Sequence, residues 1–557
     1  MAIDVDRLYD RRADNRWERV AVGDALERMT WSDPDKIAFI ATPCAIADPQ
    51  FARVSYRDAD RICNRIAHAL LARGLTRGAR VAMLCENSVD AFLFKLGVAK
   101  AGMVVVPINV MMAPDMVEHM LRLVEASVAV MDAPLWPSGR VPFDAAGTQL
   151  IASIVRPGES IPGVVSLHEF IEGQPENEPD VTIHGDDIWQ ILPTSGTTSM
   201  PKAVMMSHTY TYIGALANSM SFSRGVPFDW DYRFCSFLPV VFHVGDQALV
   251  MGPLLCGGSV VIGRRFDAAA IAAAVTNEKP TALWGGSPQL ISELVREVEA
   301  HPDRYDLSSL TVLVYGWGSM PPELTARVQQ LAPHALVSGI FGQTECIPFH
   351  RFWPSRWPEL YQRTAPAINY VGKPTPLLGS TVMDDQGRSL HDRPGEPGEA
   401  VYRSPAITAG YFRDEKATRE ALRHGWFHSG DLCTFDEDGL RIMLDRTKDM
   451  IKSGGENVSS LRVEAVVAQH PAIRKAAVVG VPDTRWGEMV VAAVVLMPDA
   501  VLDEKAIVAF CRERLAKFES PKRVVAVDDL PVTVGGKVLK YKLRQMMAEA
   551  CRDPGAA

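Results

Sequence analysis

The run Thr194-Ser195-Gly196-Thr197-Thr198-Ser199-Met200-Pro201-Lys202 gathers small hydroxyl residues, a glycine and a closing lysine. Backbone N–H and side-chain O–H groups of such a run can converge on one anion, and Lys202 adds a mobile positive charge. That is the chemistry a polyphosphate requires. The pattern is not a Walker A loop, because Pro201 stands where the second glycine would be. On composition alone, a Ser/Thr-rich turn between two elements explains the run equally well.

The elements around it alternate. An apolar strand is expected at 188–192, just before the run. Residues 58–73 place Ile62, Ile66, Ala69 and Leu70 on one helical face, with Gly74 as a stop. Strands are expected at 81–84 and 104–108, with a helix at 88–101 between them. Apolar strands joined by helices imply an α/β fold with mostly parallel sheets covered on both faces. Near Arg446 the pattern changes. Strands at 476–481 and 490–497, a helix at 504–518 and a strand at 523–528 make a small α+β unit, joined through the charged, glycine-containing stretch 445–457. Two domains are expected, 1–445 and 446–557, because a chain of 557 residues exceeds one hydrophobic core.

Bulk composition narrows the function. A net charge of −9 argues against a nucleic-acid binder. The nine cysteines are scattered, with no C-x-x-C pair, so neither a zinc site nor a disulfide framework is suggested, and a reducing cytoplasm fits. The charged N-terminus has no apolar core of a signal peptide. The longest uncharged run, 247–263, contains Pro253 and several glycines and reads as helix–turn–strand rather than a membrane span. Peripheral membrane contact and a homodimer stay open. There is no G-x-S-x-G elbow and no H-E-x-x-H helix.

The hydroxyl-rich run resembles the T-S-G-T-T-G-x-P-K-G signature of the adenylate-forming superfamily, which holds acyl-CoA synthetases, adenylation domains and luciferases. Ser199 and Ala203 stand where that signature has glycine. Later stretches resemble the family's further motifs in order: Leu238-Pro239 with Phe242-His243, then Phe341-Gly342-Gln343-Thr344-Glu345, Ser429-Gly430-Asp431, 446–457, and Pro531 to Gly536-Lys537. The resemblance spans about 55–544 and is closest to fatty-acyl and aryl-CoA ligases. It implies a large N-terminal domain, a small mobile C-terminal domain, and ATP, Mg2+ and coenzyme A as co-reactants of a carboxylic acid.

The resemblance also implies roles. Lys537 would bridge the acid and the α-phosphate, and Glu345 would hold magnesium, with Ser195 beside it. Thr344 would bond the α-phosphate, and Phe341 would stack on adenine. Gly342 and Gln343 lie beside the nucleotide. Asp431 would accept from the ribose hydroxyls and Arg446 would reach the nucleotide. Lys448 takes the hinge position. The Lys452–Gly454–Gly455 stretch would enter after adenylation to form the thioester channel. Tyr315-Gly316-Trp317-Gly318-Ser319-Met320 aligns with a segment between adenine and acyl group, and Trp317 replaces a glycine there. Either Trp317 shortens the acyl cavity or it turns into the core. His243 and Val244 border the acyl pocket. Asp246 nearby would repel an acid unless paired or turned outward. Bland readings stand beside each: a surface lysine for Lys537, a capping glutamate for Glu345, an ion pair for Asp431 and Arg446, a packed core histidine for His243. Two rivals to a CoA ligase remain, an enzyme loading a separate acyl-carrier protein and a silent homologue that only binds.

Overall fold

The computed structural model describes residues 20–46, 48–155, 158–194, 201–222, 232–240, 244–532 and 537–552. Two large sheets build the N-terminal part and a third forms a separate layer after Arg446.

In the seven-stranded sheet, Arg80–Leu84 lies between Val104–Pro107 and Val128–Asp132, parallel to both. These strands are almost wholly buried, as apolar runs covered on both faces must be. The helix Tyr56–Ala72 starts where the Ser55 side chain accepts from the Asp58 N–H, and it stops before Gly74 at φ 78°. The helix Val89–Lys100 is buried on every side, so it shows no polar stripe. It packs tightly on its neighbour through Gly97, where an added Cβ would lie 2.5 Å from Ile66 Cβ.

The thirteen-stranded sheet departs from the mostly parallel expectation. Its parallel half, which includes Ala282–Gly286, Val312–Tyr315 and Leu336–Gln343, continues into an antiparallel half from Cys346–Phe352 to Gly379–Met383. The reversal begins at the tight turn between Leu336–Gln343 and Cys346–Phe352, which joins the two strands with no helix between them. The uncharged run does form helix–turn–strand, with Met251–Leu255 followed by Ser259–Ile262. Among the described residues, no helix is long and apolar enough to cross a membrane.

The third sheet pairs Ile473–Asp483 with Gly487–Leu496 and is covered by Ser460–Val467, Glu504–Arg512 and Lys540–Ala550. The helix expected to reach residue 518 stops at Arg512. The N–H groups of Arg514 and Leu515 both turn back to the Cys511 carbonyl, closing the helix early. The joint between the N-terminal sheets and this layer is tied by Asp445, a buried residue whose Oδ2 accepts from the Ser460 N–H at 2.7 Å and from its hydroxyl at 2.6 Å.

Candidate active site

Three hairpins bring the chemistry-bearing residues together. In the first, Gln343 pairs with Cys346, so Thr344 and Glu345 form the two-residue tip between Leu336–Gln343 and Cys346–Phe352. In the second, Asp431 faces Arg446 across Phe427–Phe435 and Arg441–Arg446. In the third, Ile188–Pro193 pairs with Ala203–Ser207, and the Thr194 N–H donates to the Lys202 carbonyl at 2.8 Å. That bond brings the two ends of the hydroxyl-rich run side by side. Ser195, Gly196, Thr197, Thr198 and the two residues after them lie outside the described residues, as does His243. Val244 opens a helical turn running to Ala248.

Tyr411 joins the first hairpin to the third, a link that sequence reasoning missed. The short strand Gly410–Tyr411 pairs with Ala203–Ser207. Tyr411 Oη donates to Glu345 Oε1 at 3.0 Å, and Lys202 Nζ lies 4.5 Å from the centre of its ring. Tyr210 Oη supports the same tip by donating to the Thr344 carbonyl at 2.7 Å. An isolated Gly-Tyr-Phe run carries no local signal for such a bridge, because it exists only across sheet pairings.

The electrostatics are those of an anion site. Burial pushes the Glu345 carboxyl up, although the Tyr411 bond and the Arg446 charge oppose it. Arg446 Nε donates to Asp431 Oδ1 at 2.8 Å. Burial raises the Asp431 carboxyl against the pull of Arg446, while Asp431 holds Arg446 charged against its own burial. Lys537 feels the charges of Arg446, Asp431, Asp449 and Glu345, and desolvation by its surroundings, followed by Arg446, lowers its pKa. More than a third of its surface still meets solvent, so the residue is not enclosed. Lys448 is pulled down to about 8, first by desolvation and then by Arg446. Lys202, Arg446, Lys448 and Lys537 thus supply more positive charge than Glu345 and Asp431 balance, which suits a polyphosphate. Glu345 keeps a second carboxylate oxygen beside the one engaged by Tyr411, a donor that fits a hard cation.

The remaining predicted residues distribute as follows. Phe341 leans partly buried on the core of the antiparallel half-sheet. Gly342 is exposed, and an added Cβ there would lie 3.0 Å from Phe349 Cβ. The Gln343 amide nitrogen is buried with no partner among the described residues. Gly316 packs closely on Trp284, while Gly318 and Ser319 are half-buried. Trp317 adopts the left-handed backbone, at φ 63°, that a glycine there would take freely. Its ring stands edge-on to Trp284 at 5.3 Å and is 38% exposed, so the core has not swallowed it. Lys452 is exposed, and its N–H donates to Glu488 Oε2 at 2.7 Å. Gly454 and Gly455, at φ 63° and 88°, make the tip of the hairpin Ile451–Ser453/Glu456–Val458, and Gly454 rests on Trp486. Asp246 is paired: it and Lys95 are completely buried and joined by a direct ion pair, and Lys95 Nζ also donates to the Val240 carbonyl at 3.1 Å.

Residues 26–412 match the AMP-binding enzyme family, and residues 462–537 match the AMP-binding enzyme C-terminal domain.

The chain belongs to the AMP-binding enzyme family.

It is 32% identical to a feruloyl-CoA synthase of Amycolatopsis sp, over 88% of this chain and 94% of that one. It is 30% identical to the long-chain-fatty-acid–CoA ligase FadD13 of Mycobacterium tuberculosis, over 88% and 93%. Among solved structures, ATP-bound MatB from Rhodopseudomonas palustris superposes with a TM-score of 0.81 at 26% identity, covering 96% of this chain and 99% of that one. The apo form of the same MatB gives 0.70.

Proposed function

We propose that this AMP-binding enzyme joins a hydrophobic carboxylic acid, fatty or aryl, to coenzyme A in two steps at one site. The chain is an AMP-forming acid–thiol ligase that uses ATP, magnesium and CoA, as adenylate-forming CoA ligases do. In the first step an acid oxygen bonds to the α-phosphorus of ATP and the bond to pyrophosphate breaks. In the second, the CoA sulfur bonds to the acyl carbon and AMP leaves.

The observation that carries this reading is the presence of Lys537 within charge range of Glu345, Asp431 and Arg446. A carboxylate approaching a phosphate is anion on anion, and oriented cations must offset the repulsion. Lys537 would hold the acid against the α-phosphate, with Lys202 on the departing pyrophosphate. Asp431 would accept from the ribose hydroxyls while Arg446 fixes its carboxylate. Thr344 would donate to the α-phosphate from a tip held by Tyr210. Glu345 would hold magnesium, which when bound neutralises phosphate oxygens. The greater likeness to ATP-bound MatB than to its apo form supports a disposition suited to the first step.

We further infer domains at 1–445 and 446–557, with Lys448 at the hinge. Rotation there would withdraw Lys537 and bring the Gly454–Gly455 tip to the acyl-adenylate. The nine free cysteines suit a reducing cytoplasm.

AMP production across short, long, aromatic and polycyclic acids, with and without CoA, tests the reading. Acid-dependent pyrophosphate release, followed by CoA thioester formation, is the expected result. Release without transfer to CoA, but with transfer to a carrier protein, would overturn the CoA assignment. Binding without turnover would overturn the enzyme.

A further inference from the structure

The strand Gly398–Arg403 runs antiparallel to Phe427–Phe435, and the register between them breaks beside Asp431. Glu399 faces Leu432 and Val401 faces His428, so Ala400 stands opposite Ser429, Gly430 and Asp431 together. Such a bulge bends its strand and re-aims a side chain, and it leaves backbone groups without ladder partners. Gly430 takes the left-handed backbone there, at φ 71°. Side chains take up the groups that the ladder drops. Ser429 Oγ donates to the Ala400 carbonyl at 2.6 Å and accepts from the Asp431 N–H at 3.0 Å. The Gly430 N–H donates to Glu399 Oε1 at 2.9 Å.

Glu399 is itself fixed. Its Oε2 accepts from Arg423 Nη2 at 2.7 Å and from the buried His428 through Nδ1, also at 2.7 Å. With both oxygens engaged, the carboxylate cannot swing away from Gly430, and a charged acceptor on a backbone N–H makes a strong bond. Arg446 and its neighbour hold the other side of the bulge. Arg446 Nη2 donates to the Ser429 carbonyl at 3.3 Å, and the Thr447 N–H donates to the Gly430 carbonyl at 3.0 Å. The link from Glu399 to the Asp431 carboxylate therefore runs through the Gly430 backbone.

We propose that Glu399 is a positioning residue for the nucleotide: by holding the Gly430 N–H it sets the bulge that aims the Asp431 carboxylate at the ribose hydroxyls. The assignment rests on the acid-ligase reading above, in which Asp431 accepts from those hydroxyls. Without Glu399, the peptide before Asp431 is free to turn, and a carboxylate out of line loses its bonds to the hydroxyls. The phosphate contacts belong to the other two hairpins and are spared. The defect is thus selective for the sugar.

The test is calorimetric titration of the full chain with ATP and with 2′,3′-dideoxy-ATP, both with magnesium. No acid is needed, so the identity of the substrate does not enter. The wild type should bind ATP about tenfold tighter or more, the effect of losing charge-assisted bonds. Asp431→Ala should remove that preference. Glu399→Leu should shrink it to about threefold or less by weakening ATP, with the affinity for dideoxy-ATP unchanged. Glu399→Gln keeps an oxygen for the Gly430 N–H and should restore most of it. Arg423→Met, a change at an exposed residue, should give a partial loss in the same direction, and it carries the test should Glu399→Leu fail to fold. If these variants weaken both nucleotides alike, or neither, the assignment is overturned, and a preference still lost in Asp431→Ala leaves the ribose role of Asp431 standing. A wild type indifferent to the ribose hydroxyls overturns that role and this inference with it. Acid-dependent pyrophosphate release, assayed separately, tells such a failure from a failure of the ligase reading.

Discussion

Arg446 Nε and Asp431 Oδ1 lie 2.8 Å apart as cross-strand neighbours, which makes one rigid ion pair out of two residues that the sequence separates. Asp431 is 5% exposed, so its carboxylate keeps its orientation only while Arg446 holds it. Arg446→Met should therefore raise KM for ATP by tenfold or more, an order of magnitude expected from losing a charge-assisted bond. Steady-state kinetics with varied ATP would measure it, and an unchanged KM would remove the pair from the nucleotide site.

Lys537→Ala should lower acid-dependent pyrophosphate release by about a hundredfold or more. Thioester formation from supplied acyl-AMP should continue, because Lys537 serves only the first step. Equal loss in both half-reactions would count against a site used in two conformations.

The lysines give a pH signature. Lys537 acts as a cation and its pKa is lowered in the nucleotide-free protein, so kcat/KM for the first half-reaction, which reports the free enzyme, should fall on the alkaline side at a pH below the ordinary lysine range. Lys448 titrates at about 8 in the absence of nucleotide. A bound polyphosphate favours the charged form and raises that value, so ATP binding near pH 8 should take up protons. Calorimetry in two buffers of different ionisation enthalpy would reveal the uptake as a difference in apparent heat.

Lys95 and Asp246 test the interior. Removing one partner leaves the other charged and buried, so Asp246→Ala should cost about 3–5 kcal/mol of stability. The double change Lys95→Met with Asp246→Leu should recover much of it, as read from denaturant midpoints. A harmless Asp246→Ala would mean that the pair is hydrated.

Trp317→Gly should extend the range of accepted acids toward longer chains, because an indole at the cleft edge is removed. It should not destabilise the fold greatly, since glycine takes the left-handed backbone at no steric cost. An unchanged chain-length profile would remove Trp317 from the acyl pocket.

Local pattern made much of the α/β architecture legible. The helix before Gly74 and the apolar strands beside it follow from short-range periodicity and from the stop at Gly74. The antiparallel half of the large sheet was not legible, because strand pairing from Cys346 onward depends on which strands meet and not on their composition.

By itself, the sequence determined the ordered set of chemistry-bearing stretches, from the hydroxyl-rich run to Lys537, since residue types and spacing are written in the chain. The tertiary structure alone decided which of these residues share a field. It set Tyr411 between Lys202 and Glu345, gave Asp246 its buried partner, and stood Trp317 against Trp284. Those outcomes depend on distances between elements remote in sequence. Charge interactions and desolvation act across such distances whatever the separation along the chain.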